Sequence, residues 1–133
     1  MLNDDDLKEQ MDGSTAISCM IKDKKLYCAN AGDSRAVACK NGQLVLLSND
    51  HKPNNKEEME RIYNAGGWVE FNRVNGNLAL SRALGDFIFK RNHKMSAEQQ
   101  MVTGNTIIKY FLIILCILCY CLMFVLLSHT ILY

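Results

Sequence analysis

The chain has 133 residues, 49% of them hydrophobic and 22% charged, with a formal net charge of +1. That balance excludes a disordered or low-complexity polymer and gives no electrostatic basis for nucleic-acid binding. The length leaves room for one small domain with a limited core. The average joins two unlike parts: all 15 Lys and Arg and all 14 Asp and Glu fall within residues 1–109, and residues 110–133 carry none.

Residues 1–12 are polar and acidic and read as a short helix at most; the first six lack the apolar core of a signal peptide. From Gly13 the chemistry turns to β type. Thr15, Ile17, Cys19 and Ile21 alternate with Ala16, Ser18 and Met20. Both sets are small or apolar, which predicts a strand buried on both faces. Lys22-Asp23-Lys24-Lys25 is a charged turn. Strands over 26–31, 35–40 and 43–48 follow. The first ends at Gly32-Asp33-Ser34, and the last two are joined by Asn41-Gly42, residues that accept the positive φ of a two-residue hairpin. Together these segments predict an antiparallel meander.

After Pro53 the period changes. Asn55-Lys56-Glu57-Glu58 resembles a capping box, with Glu58 three residues beyond the cap. Met59, Ile62 and Tyr63 recur at helical spacing, so one helix face is expected to be apolar until Gly66 stops it. Residues 68–71 and 78–80 are predicted strands of a hairpin at Asn75-Gly76. Residues 81–90 read as a loop or short helix with Ala83, Leu84 and Phe87 turned inward, and 91–109 as polar and basic without a period. This order predicts an α+β fold with a mainly antiparallel sheet.

Residues 110–127 form an unbroken apolar run, which at helical rise spans about 27 Å, close to a bilayer core. It predicts a transmembrane-like helix within a hydrophobic tail, 110–133. Lys90, Arg91, Lys94 and Lys109 on its N-terminal side would put the rest of the chain in the cytoplasm. The six cysteines divide three and three between the polar part and the tail. Cys116-x-x-Cys119 has a zinc-like spacing with no second pair to close a site, so these cysteines read as small hydrophobes, and a reducing compartment is expected.

Three stretches carry chemistry: Gly32-Asp33-Ser34-Arg35; Asp50-His51-Lys52-Pro53; and Arg73-Val74-Asn75-Gly76 through Ser81-Arg82-Ala83-Leu84-Gly85-Asp86. Singly, each reads as a turn or loop. Asp33 is one carboxylate, too few for a metal site, and Ser34 lacks a His-Asp relay. In order, and with Gly13-Ser14-Thr15-Ala16 before them, they resemble the central part of a metal-dependent serine/threonine protein phosphatase of the PPM, or type 2C, family. The resemblance covers about residues 13–102.

The resemblance implies a β-sandwich of two antiparallel sheets flanked by helices. It implies hydrolysis of phosphoserine and phosphothreonine in protein substrates by water bridged between Mg²⁺ or Mn²⁺ ions. Asp33 matches the aspartate associated in the family with a third, weaker metal position. Arg73 falls where the family has a flap beside the substrate cleft, where it either touches a phosphoprotein or makes a surface salt bridge. Arg82 and Asp86 are expected to tie the motif loop together, and His51 to be structural. No residue is assigned as catalytic, because the family's Glu-Asp pair, Asp-Gly-His motif and C-terminal metal motifs do not occur in this sequence. The expected organisation is a polar segment 1–12, a partial phosphatase domain 13–102, a linker 103–109 and the tail 110–133. The isolated chain is expected to be inactive, a fragment whose tail has a separate origin. The alternative is a tail-anchored pseudophosphatase or phosphoprotein-binding module. The expected location is a single-pass membrane site if the tail is an anchor, and otherwise the cytoplasm or nucleus.

Overall fold

The computed structural model describes residues 12–40 and 42–112 and the backbone of 123–126. The first expected helix, apart from Asp12, lies outside the described residues, as do Asn41 and, in the tail, residues 113–122 with the three tail cysteines and residues 127–133. In chain order the elements are β1 (Gly13–Ser14), β2 (Ala16–Lys22), β3 (Lys25–Ala31), β4 (Arg35–Lys40), β5 (Gln43–Leu46) and α1 (Lys56–Asn64). There follow β6 (Val69–Glu70), β7 (Arg73–Val74), β8 (Leu84–Gly85), β9 (Ile107–Leu112) and β10 (Met123–Leu126). Two single 3₁₀ turns, Phe87–Phe89 and Ala97–Gln99, lie between β8 and β9.

All strand pairs are antiparallel, but they do not form one meander. One sheet has the order β2-β3-β9 and another β10-β4-β5; β1-β8 and β6-β7 are separate two-stranded ribbons. The chain changes sheets at Gly32-Asp33-Ser34, between β3 and β4. Two hairpins that are consecutive in sequence therefore face each other instead of lying side by side. Leu26 and Cys28 from the first sheet pack against Ala36 and Ala38 from the second, with Leu47, Ile17, Val45 and Phe111 around them. This is the core of a small sandwich. A second cluster gathers Ile62 of α1, Val74, Leu78, Leu80, Ala83, Phe89 and Val102.

β2 is not buried on both faces. Among the described residues it is an edge strand with β3 as its neighbour, and Met20 and Ile21 remain exposed. The turn before β3 forms as expected: Asp23 and Lys24 both take positive φ, 50° and 61°, and Lys22 faces Lys25 across the ladder.

The helix forms where the period predicts it, with a different buried face. Glu58, Ile62 and Ala65 are buried, whereas Tyr63 is exposed. Asn55 stands at the N-cap without a side-chain cap bond; its amide donates to the Asp50 carbonyl instead. After the helix, a turn at Phe71 and Asn72, both at positive φ, joins β6 to β7 before the chain turns again at Asn75-Gly76. Beyond it, Phe89 is the buried aromatic of the 81–90 segment, and Leu84 is exposed.

The expected membrane helix is corrected by the strands. Tyr110, Phe111 and Leu112 complete β9, which runs along β3 from Asn30↔Ile107 to Lys25↔Leu112. Met123–Leu126 is β10 and pairs with β4. Among the described residues no helix is long and apolar enough to cross a membrane. The membrane placement and tail-anchor reading that rested on that helix lose their support. β9 also crosses the boundary expected between linker and tail at residue 109. A long apolar run reads alike as a helix or as successive strands, because hydropathy without a period does not choose between them.

Candidate functional site

The three chemistry-bearing stretches converge on one backbone frame. The His51 N–H donates to the Gly32 carbonyl at 3.0 Å, and the Ser81 N–H to the His51 carbonyl at 3.0 Å. The Thr103 N–H donates to the Ser81 carbonyl at 3.4 Å. Residues far apart in sequence are thus laid side by side, and the frame links the sandwich core to the cluster under α1.

Gly32 has φ +111°, and a Cβ there would lie 2.4 Å from Thr15 Cγ2. Only glycine takes that backbone without strain, so the sharp exit from β3 depends on it. The Gly32 N–H donates to His51 Nδ1 at 3.1 Å. Nδ1 is therefore the unprotonated nitrogen, and His51 is held neutral. Burial lowers its pKa, and the nearby Arg82 cation acts in the same direction. His51 is a structural acceptor, as the sequence suggests. Ser34 is fully buried and shares a 2.7 Å hydrogen bond with Thr15 Oγ1. Its hydroxyl is committed to packing the loop.

Asp33 is buried and its carboxylate pairs with the Lys52 ammonium. Arg35 and Asp50 form a two-pronged pair on the exposed side, Nε–Oδ1 3.0 Å and Nη2–Oδ2 2.6 Å. The Gly-Asp-Ser-Arg and Asp-His-Lys-Pro stretches are therefore joined by two ion pairs as well as by the frame.

Arg82 reaches Glu58 of α1. Burial raises the Glu58 pKa, but hydrogen bonds from Arg82, Arg61 and Ser81 outweigh it and hold the carboxyl at about 2. Arg61 also donates to the carbonyls of Ser81, at 2.6 Å, and Gln100, at 3.1 Å. Glu58 and Arg61 are the hub of the site, and the sequence reading did not single them out as site residues. The available signal was their i, i+3 spacing, which places a carboxylate and a guanidinium on the same side of a helix.

Asp86 has left-handed backbone, φ 50°, and is buried. Its Oδ1 has no hydrogen-bond partner. Burial pushes its pKa up to about 6, with Lys90 opposing the shift and Asp12 adding to it. The Asp86 backbone N–H ties the loop by donating to the Asp12 carbonyl at 2.8 Å. Arg73 lies apart from the frame. It is exposed on the β6–β7 ribbon and donates to the Asn77 carbonyl at 2.5 Å, within its own turn. No ion pair holds Arg73 among the described residues.

A cavity of about 320 Å³ opens beside the frame, lined by Asn30, Ser48, His51, Asn55, Glu58 and Lys109 among others. The described residues do not fit a divalent-metal centre. No group of three or more His, Cys, Asp or Glu side chains converges among them. Asp33 faces an ammonium, and Asp50 and Glu58 face guanidiniums.

The protein phosphatase 2C family matches residues 1–116. The match runs past residue 102 and takes in all of β9. The chain is 57% identical over 101 residues to a probable protein phosphatase 2C of Caenorhabditis elegans, covering 76% of this chain and 28% of that protein. It is 54% identical over 104 residues to protein phosphatase 2C homolog 2 of Hypocrea jecorina, covering 78% and 24%. Among solved structures, a phosphatase from Toxoplasma gondii superposes with TM-score 0.60 at 45% identity, covering 66% of this chain and 28% of that one. A sex determining protein of C. elegans superposes with TM-score 0.65 at 32% identity, covering 76% and 24%.

The sandwich and the joined motif loops thus define a phosphatase-type domain segment. The chain belongs to the protein phosphatase 2C family, and it spans about a quarter of the length of the curated relatives it matches.

Proposed function

We propose that this chain is the central segment of a protein serine/threonine phosphatase, one that hydrolyses phosphoserine and phosphothreonine in proteins with Mg²⁺ or Mn²⁺ supplying the activated water. The observation that carries this reading is the frame on which Gly32, His51, Ser81 and Thr103 bring the three motif stretches together. In this reading the described residues supply positioning. The Glu58–Arg82 pair fixes the motif loop to α1, and the Asp33–Lys52 pair fixes the strand exit. Arg73, exposed on its ribbon, is the residue placed to meet a phosphoprotein. The described side chains do not gather a metal cluster, so the 133-residue chain is expected to turn over no phosphopeptide by itself.

A graft tests the reading. Residues 13–102 of this chain replace the matching segment within the full-length C. elegans relative, and Mn²⁺-dependent release of phosphate from a phosphothreonine peptide is measured. A folded chimera that keeps the activity of its parent supports the proposal. A chimera with native circular dichroism and thermal transition but no turnover overturns it, and leaves a binding role as the better account.

A further inference from the structure

Cys19 and Cys28 stand directly opposite each other on β2 and β3. The kind of pair they form follows from the turn. Asp23 and Lys24 make a two-residue turn with both φ positive, closing the ladder at Lys22↔Lys25. In such a hairpin the closing pair exchanges both backbone hydrogen bonds, and bonded and non-bonded pairs then alternate. Counting back through Ile21↔Leu26 and Met20↔Tyr27 makes Cys19↔Cys28 a non-bonded pair. There the Cα atoms approach to about 4.5 Å and the side chains lean together, within the range a disulfide bridges.

The side chains point the same way. Cys28 belongs to the apolar cluster between the two sheets, and Cys19 packs against it. All three described cysteines are free thiols. Burial, together with the hydrogen bond its S–H donates to the neighbouring Cys19, pushes the Cys28 thiol up to about 12. Cys19 is half-buried on the edge strand, so it is the sulfur that a small oxidant reaches first. Cys39 is a built-in comparison, since it faces Leu44 and not another cysteine.

We propose that Cys19 and Cys28 are a modification site for peroxide, which joins them in a reversible cross-strand disulfide clamping β2 to β3, the strand that leads into the Gly32–Arg35 loop. The Cys19 sulfur attacks one peroxide oxygen; the O–O bond breaks, a water leaves, and Cys19 becomes a sulfenic acid. The Cys28 sulfur then attacks the Cys19 sulfur; the S–O bond breaks, a second water leaves with the Cys28 proton, and the S–S bond forms. Both sulfurs are oxidised, and the two peroxide oxygens are reduced to water. A dithiol reverses the step by exchange.

The test uses the full chain under native conditions. It is treated with hydrogen peroxide, remaining thiols are alkylated, and a non-reducing digest is mapped by mass spectrometry. The expected product is one Cys19–Cys28 linked peptide that has lost two hydrogens and that dithiothreitol restores. Amide exchange across Ala16–Lys22 is expected to slow by about tenfold in the oxidised chain. Cys39→Ser is expected to change nothing. Cys28→Ala is expected to leave Cys19 reactive toward a sulfenic-acid probe. Full alkylation of Cys19 and Cys28 after peroxide overturns the proposal. So does linkage spread evenly over the six cysteines. Equal yield of the Cys19–Cys28 link in denaturant also overturns it, because the strand register would then play no part.

Discussion

The carboxylate of Glu58 on α1 and the guanidinium of Arg82 after Leu80 meet through several contacts, Nη2–Oε1 at 2.6 Å, Nε–Oε1 at 3.0 Å and Nε–Oε2 at 3.1 Å. Both side chains are nearly excluded from solvent. The pair fastens the helix to the motif loop, and Arg61 and Ser81 bind the same carboxylate.

Glu58→Gln leaves two buried guanidiniums without their counter-charge. The expected cost is about 3–5 kcal/mol, the usual penalty for breaking a buried pair from one side. Chemical denaturation followed by circular dichroism measures it. The folded pKa, about 2, lies below the ordinary glutamate value of 4.5, so the stabilisation is full above pH 4.5 and is lost as pH falls toward 2. The wild-type chain is expected to weaken steeply across that window, and Glu58→Gln to show a flatter acid limb. Equal slopes would contradict the network.

Asp86 has the opposite sign. Its folded pKa, about 6, lies above the ordinary aspartate value of 3.8, so the fold prefers the protonated acid. Stability from this group is present below pH 3.8 and is lost as pH rises through 6. Asp86→Asn keeps the shape, tolerates the positive φ and carries no charge. It is expected to stabilise the chain at pH 7 by about 1 kcal/mol and to remove the dependence between the two pKa values. Thermal melts at pH 4 and pH 7 check both parts.

Gly32→Ala meets Thr15 Cγ2 at 2.4 Å while forced to φ +111°. The expected loss is about 2–4 kcal/mol, from strained backbone and overpacking together. Thr15→Ser in the same chain removes the colliding methyl and should recover part of it. A double variant no more stable than Gly32→Ala alone would leave backbone strain as the whole cost.

The β9 pairing has its own signature. Among the described residues β9 is an edge strand of its sheet, so alternate amides of Ile107–Leu112 point at β3 and the others point away. Hydrogen exchange by NMR is expected to alternate slow and fast along these residues. Uniform protection through Leu112 would indicate a helix instead.

Much of the fold was legible in local signals. The turn at Asp23-Lys24, strand β4 and the helix stop at Gly66 each follow from side-chain chemistry within a few residues. The turn at Phe71-Asn72 was not legible, because phenylalanine has no turn preference and takes positive φ there only because the ribbon requires it. Of the candidate residues, Asp33 and Arg82 were visible through their motifs, and the structure gives each an oppositely charged partner. In sequence, Glu58 resembles half of a capping box. Its sequence neighbours fit that role, and the competing guanidinium of Arg82 lies 24 residues away.

The sequence by itself determined the motif order, the family and the alternation of strand and turn, since these reside in residue identity and short spacing. Tertiary structure decided the rest. It decided which sheet each hairpin joins, which face of α1 is buried, and that the first part of the apolar tail is a strand. The reason is one of range. Pairing partners such as Leu26 and Phe111, or Glu58 and Arg82, are selected by burial and charge across long separations, and hydropathy along the chain carries no record of what lies opposite.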